Sequence, residues 1–237
     1  MKSIIAYHKS GESSKQRDYR NVVIAQAILV SIALLLEDMV NLFGMGAERQ
    51  MFYSVFLMLG AVYYYMLWDL VRNFVQQPVI VYGILLVMLF GFLTLFIAEF
   101  PFGKIVNDPS SYLITVHTLL FLTEIFVMYH AFRDVFRKDE VSYGKLWGSV
   151  SLFIMMAIAF ASIYDILSIL QPGSFGIALE PGFPSFSESL YFSVVTISGG
   201  VPDFSEVSHF IRDIAALEAV LGALYLVILI GRIIARV

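Results

Sequence analysis

Long apolar stretches, each closed by a polar or Gly/Pro-rich break, recur along most of the chain. A helix crossing a hydrocarbon core of about 30 Å needs about 20 such residues. Six stretches reach that length, at roughly 22–43, 51–74, 79–100, 112–132, 147–170 and 211–234. Most connections are short and carry breaker chemistry, as in Gly44-Met45-Gly46, Gln76-Gln77-Pro78 and Asp108-Pro109-Ser110-Ser111. Two are longer. A charged linker covers 133–146, and the connection 171–210 holds a shorter amphipathic run from Phe186 to Ser198, followed by Gly199-Gly200-Val201-Pro202-Asp203-Phe204. A half-length helix, a loop and a full-length helix predict a re-entrant unit. Non-helical backbone at membrane depth is tolerated only where it is buried in protein or lines a water-filled path.

Composition agrees with a multispanning membrane protein: 59% of residues are apolar and 14% charged, against about 45–50% and about 25% in soluble domains. The absence of cysteine excludes disulfides, iron–sulfur clusters and thiolate metal sites. The first apolar run is too long for a signal-peptide core and is read as a retained span. Residues 1–21 are expected to form a cytoplasmic tail, flexible or lying on a surface. With the N-terminus inside, twelve basic residues (Lys2, Lys9, Lys15, Arg17, Arg20, Arg72, Arg133, Arg137, Lys138, Lys145, Arg232 and Arg236) face the cytoplasm, and three (Arg49, Lys104 and Arg212) face outward. The positive-inside bias therefore predicts a multi-pass protein of the cell (inner) membrane with both termini cytoplasmic. The connection around the short helix is then external, and Glu180, Glu188, Asp203 and Glu206 give it an acidic character. Such a vestibule concentrates cations, although external loops are also acidic simply because positive charge is kept inside.

Within the short run, Ser185-x-x-Glu188 reads as a capping box that starts a helix just after Pro184. The far end of that helix, around Thr196, Ile197 and Ser198, would then point a negative dipole end at the loop. Tyr191-Phe192-Ser193-Val194-Val195-Thr196, and later Leu217-Glu218, Gly222 and Leu224-Tyr225-Leu226, resemble the pore helix and inner helix of the tetrameric potassium-channel superfamily. The resemblance covers about a fifth of the chain, residues 185–236. It implies an all-α membrane protein of six transmembrane helices with a re-entrant pore helix and filter loop between helices five and six. It also implies a homotetramer around one axis. The filter region departs from the family. Where the family has Thr-Val-Gly-Tyr-Gly-Asp, this chain has Ser198-Gly199-Gly200-Val201-Pro202-Asp203, with the distance from Ser193 one residue short. A potassium filter needs successive carbonyls turned to the axis. Gly199 and Gly200 can adopt unusual dihedrals, whereas Pro202 fixes φ and removes an N–H. A shorter, wider filter passing several monovalent cations (K or Na), or a pore that does not conduct, fits these residues. Gly222 is a candidate gating hinge or a close-packing position, and Glu218 a support behind the filter.

The first four spans, 22–132, form a peripheral domain; 147–237 is the pore domain. The fourth span carries His117, Glu124 and His130 but no arginine before Arg133, so voltage gating is not expected. Glu124 sits mid-span, where an acid costs roughly 2.5–3.5 kcal/mol on insertion scales. A buried hydrogen bond to Tyr or His, or a sensor role, accounts for it. Asp165, toward the outer end of the fifth span, poses the same question, and Glu37-Asp38 lie in the outer part of the first. Asp69 and Arg72 have the spacing of an ion pair, and Tyr63-Tyr64-Tyr65 reads as packing and interfacial anchoring. His117 and His130 fall on different helix faces, and no metal motif or catalytic pair is visible. A lipid-open pocket uniting Glu124 with His117 or Asp165 would be needed for an intramembrane enzyme. The expectation is therefore a non-enzymatic channel without cofactor or metal. Its partners are membrane lipids, further copies of itself and the permeant ion, with no nucleic acid. A non-conducting, channel-derived scaffold or sensor is the alternative. With the chain ending at Val237, no C-terminal ligand-binding domain is expected to gate it.

Overall fold

The computed structural model describes residues 2–42, 48–75, 77–100, 105–137, 142–200, 202 and 206–234. Among them the regular structure is helical throughout: α1 (Lys2–Leu42), α2 (Glu48–Phe74), α3 (Pro78–Ala98), α4 (Ser110–Val135), α5 (Tyr143–Leu170), α6 (Phe183–Ile197) and α7 (His209–Ile234). All but α6 contain a segment long and apolar enough to cross a membrane. The chain is thus that of a multi-pass membrane protein. At 15 residues and about 1.5 Å per residue, α6 falls short of the hydrocarbon thickness.

The helix boundaries follow the breakers. Gln77 is extended (φ −78°, ψ 112°) and Pro78 opens α3, where a missing N–H is harmless. Asp108 Oδ1 accepts the Ser110 N–H at 3.0 Å where α4 begins. The side-chain and backbone hydrogen bonds from Ser110 hold that carboxyl below its ordinary value. One difference from expectation concerns α1: residues 2–21 continue the first span as one helix.

The centre of the molecule is α5, which packs against α1, α4, α6 and α7. Its buried positions include Gly148, Ser149, Ser151, Ala157, Ala159, Ala161 and Ser162. Small side chains of this kind let helix backbones approach closely where no water is present to drive association. Around it lies one large core to which all seven helices contribute, α3 through Val81 and Met88 and α7 through Tyr225. A second core joins α5, α6 and α7 through Tyr164, Phe192, Val207, Ile211 and Ala215, with Phe192 edge-on to Tyr164 at 5.0 Å and to Phe175 at 5.2 Å. Such edge-to-face contacts suit the ring quadrupoles. α3 packs on α2 and α4 and leaves Val79, Tyr82, Leu86 and Phe90 exposed; α7 leaves Leu217, Val220, Leu224 and Val227 exposed. Asp69 and Arg72 form the expected pair at 3.2 Å, with the guanidinium 5.0 Å from the Trp68 ring centroid.

Candidate functional site

The short helix α6 is held at three places. Its start differs from the expected capping box: Gly182 is the N-cap (φ 124°), Pro184 lies inside the first turn, and no side-chain cap bond forms. The Ser185 hydroxyl instead donates to Asp165 Oδ1 at 2.5 Å and lies 2.7 Å from the Ser168 hydroxyl. An acid from elsewhere takes the vacant role. Glu99, at the end of α3, accepts the backbone N–H of Phe183, one of the orphan donors of the first turn. A Cβ at Gly182 would run into that carboxyl group. Burial pushes the Glu99 carboxyl above its ordinary value, opposed by the Phe183 N–H. Farther along, the Ser187 hydroxyl donates to Ala33 O of α1 at 2.6 Å.

The middle of α6 is tied to α7 and α5 through Glu218, which is fully buried. Tyr164 donates to Glu218 Oε2 at 2.6 Å. The Ser193 hydroxyl reaches Glu218 Oε1 at 2.5 Å and Ala157 O at 2.8 Å, and its single proton serves one of these at a time. One carboxyl group thus joins three helices.

The far end of α6 closes on itself. Ser198 is the C-cap, and Gly199 follows with φ 83°, a left-handed conformation natural to glycine. The Gly199 N–H donates to Thr196 O at 3.0 Å and the Gly200 N–H to Val195 O at 2.8 Å. This pair of bonds is a Schellman motif. The Ser198 N–H takes Val194 O at 3.3 Å, and the Thr196 hydroxyl turns back to Phe192 O at 2.8 Å. The carbonyls of Val194, Val195 and Thr196 are therefore occupied within the chain. Of the expected dipole end, Thr196 and Ile197 are buried, whereas Ser198, Gly199 and Gly200 are exposed. Pro202 is buried; Val201 and Asp203 lie outside the described residues. Gly222 faces this turn: a Cβ there would stand 2.5 Å from Ile197 O and 2.8 Å from Ile197 Cγ1. α7 runs helical through Gly222, so the residue acts here as a close-packing position.

Two buried acids occupy the helices before α6. The Tyr63 hydroxyl donates to Glu124 Oε1, and Gln26 Nε2 reaches the Tyr63 hydroxyl at 3.3 Å and Ser151 O at 3.4 Å. Four helices thus share one polar chain, and Tyr63 has a specific partner beyond packing. Asp165 is fully buried in the protein. Its Oδ2 lies 2.9 Å from His117 Nε2 but off the line of a hydrogen bond. His117 Nδ1, Asp165 Oδ2 and Glu124 Oε2 have no hydrogen-bond partner among the described residues. His117 therefore meets Asp165, while Glu124 turns to Tyr63, and the three do not form one constellation. His130 is apart from them, its ring parallel to Phe74 at 6.4 Å. Among the described residues no group of three or more His, Asp or Glu side chains is placed to hold a metal ion.

Sequence reasoning located Glu218, Glu124 and Asp165, gave Ser185 a capping role in place of its bond to Asp165, and missed Glu99 and Gln26. The signal for Glu99 was weak, an acid at the end of an apolar run before a proline. No family model, curated protein or solved structure matches the chain.

Proposed function

We propose that this chain is a subunit of a potassium-channel-like cation pore, four copies surrounding one axis with α6 re-entering the membrane and α7 lining the inner passage. The observation that carries the reading is the Tyr164–Glu218–Ser193 tie, which clamps a helix too short to span against the last span. The exposed Ser198–Gly200 turn lies immediately beyond that helix. Further support comes from the motif resemblance over the same residues and from the apolar faces that a single copy leaves uncovered on α7.

The passage is weakly selective or non-selective, because the Schellman turn occupies the last carbonyls of α6 and Pro202 follows. Carbonyls able to replace an ion's hydration shell would have to come from Ser198 onward. Voltage does not gate it, since Arg133, at the inner end of α4, is the single arginine or lysine of that helix. The first four helices scaffold the pore or sense a lipid, proton or partner. Both termini lie in the cytoplasm, with the acidic connection outside.

The test is reconstitution of purified protein in liposomes with K and Na flux read separately, alongside the oligomeric state by native mass spectrometry. The expected result is a tetramer that passes both ions. A tetramer that passes neither leaves the non-conducting scaffold, and a monomer or dimer overturns the pore.

A further inference from the structure

A cavity of about 90 Å³ lies where the first four helices meet the start of α6. Its walls include Leu29 of α1, Gly60 of α2, Leu95 of α3, His117 of α4, and Phe183 and Phe186 of α6. A water molecule needs roughly 10–15 Å³ of such space and 2–4 polar partners. The volume therefore holds several waters or one ring-sized molecule, and largely apolar walls favour the second. At Gly60 an added Cβ would meet nothing within 4 Å, so the empty space reaches the backbone of α2.

The lining is polar at Glu99 and at His117, and the hydrogen bonding of His117 is incomplete. His117 is only 5% exposed, and its ring lies on Phe186 at 5.1 Å with 21° between the planes. Nε2 faces the Asp165 carboxyl at 2.9 Å, and in the neutral ring a proton on that nitrogen lies toward the carboxyl rather than away from it. Nδ1 is then an acceptor, buried and without a partner among the described residues. An unsatisfied acceptor inside protein is unfavourable until a donor reaches it.

We propose that this cavity binds a lipid-soluble, ring-sized molecule bearing a hydroxyl group, a phenol in chemical class, whose ring fills the apolar space and whose hydroxyl donates to His117 Nδ1. The site goes beyond the pore reading and does not depend on it, since a non-conducting protein would bind the same ligand. An occupant would touch the first turn of α6 and the preceding helices together, stiffening the joint between them.

The test uses the full chain in detergent and an aryl-diazirine phenol as photolabel, with adducts mapped by mass spectrometry and phenol or toluene as competitor. Adducts are expected within 56–64 and 183–186. Phenol should compete about tenfold better than toluene, the worth of one buried hydrogen bond. Gly60→Leu, which fills the space beside α2, should abolish the labelling, and His117→Phe should make the two competitors equal. If His117→Phe does not fold, Gly60→Leu and the wild-type competition ratio decide. Labelling spread over lipid-facing residues and unchanged in Gly60→Leu would overturn the site. Equal competition by toluene in the wild type would overturn the hydroxyl recognition, as in a merely greasy or water-filled cavity.

Discussion

Glu218 serves two hydroxyl groups from a fully buried position, so its replacement is asymmetric in effect. Glu218→Ala strands the Tyr164 hydroxyl, at about 1–3 kcal/mol, while the Ser193 hydroxyl keeps Ala157 O as its acceptor. Glu218→Gln keeps an acceptor and costs less. Thermal unfolding in detergent should rank wild type, then Gln, then Ala; an Ala variant as stable as wild type would remove the tie from the account. The glycines around the turn divide in the same physical way. Gly199 needs its positive φ, so Gly199→Val should cost about 1–2 kcal/mol, whereas Gly199→Asn, which tolerates that region, should retain most of the stability. Gly222→Val meets backbone, and separating α7 from the end of α6 should cost about 1–3 kcal/mol. Equal unfolding temperatures for Gly222→Val and wild type would contradict the close approach.

At the level of elements, α6 depends on residues remote in the chain. Its N-terminal N–H finds Glu99, the end of another helix, and its Ser185 is drawn to Asp165. A stability profile against pH reports the burial of Glu99. Because burial raises the Glu99 carboxyl pKa, the fold favours the protonated form. That contribution is complete below the unfolded carboxylate value of about 4.3 and is lost as pH rises through the raised folded value. The unfolding temperature of wild type should therefore fall across that interval, and Glu99→Gln should flatten that part of the profile. The capping box was readable in the letters yet absent from the fold, and the reason is competition. A serine hydroxyl has one proton, and a buried carboxyl 2.5 Å away outbids a local backbone group. The six long helices were legible because the length of an apolar run is a local property. Gly222 was legible as a glycine but not as a contact, since Ile197 reaches it only after two helices pack.

For the molecule as a whole, the hub role of α5 leaves α3 and α7 at the margins, each with an apolar face uncovered. Lipid suits α3. For α7 the pore reading predicts water on part of that face. The chain has no native cysteine, so single cysteines at Val220, Leu224 and Val227 can be probed without background. At least one should react with a membrane-impermeant thiosulfonate in liposomes, while Val79→Cys on α3 should not. Three α7 positions as inert as Val79→Cys would place that face against lipid or protein. The tie between Tyr63 and Glu124 has a further consequence for biosynthesis. The chain emerges from its N-terminus, so α1 and α2, carrying Gln26 and Tyr63, precede the helix that carries Glu124. Tyr164 and Ser193 likewise precede Glu218. Each of these two acids enters the bilayer after its hydroxyl partners have been made, and the order of synthesis thereby shortens the interval in which an intramembrane carboxyl group stands alone.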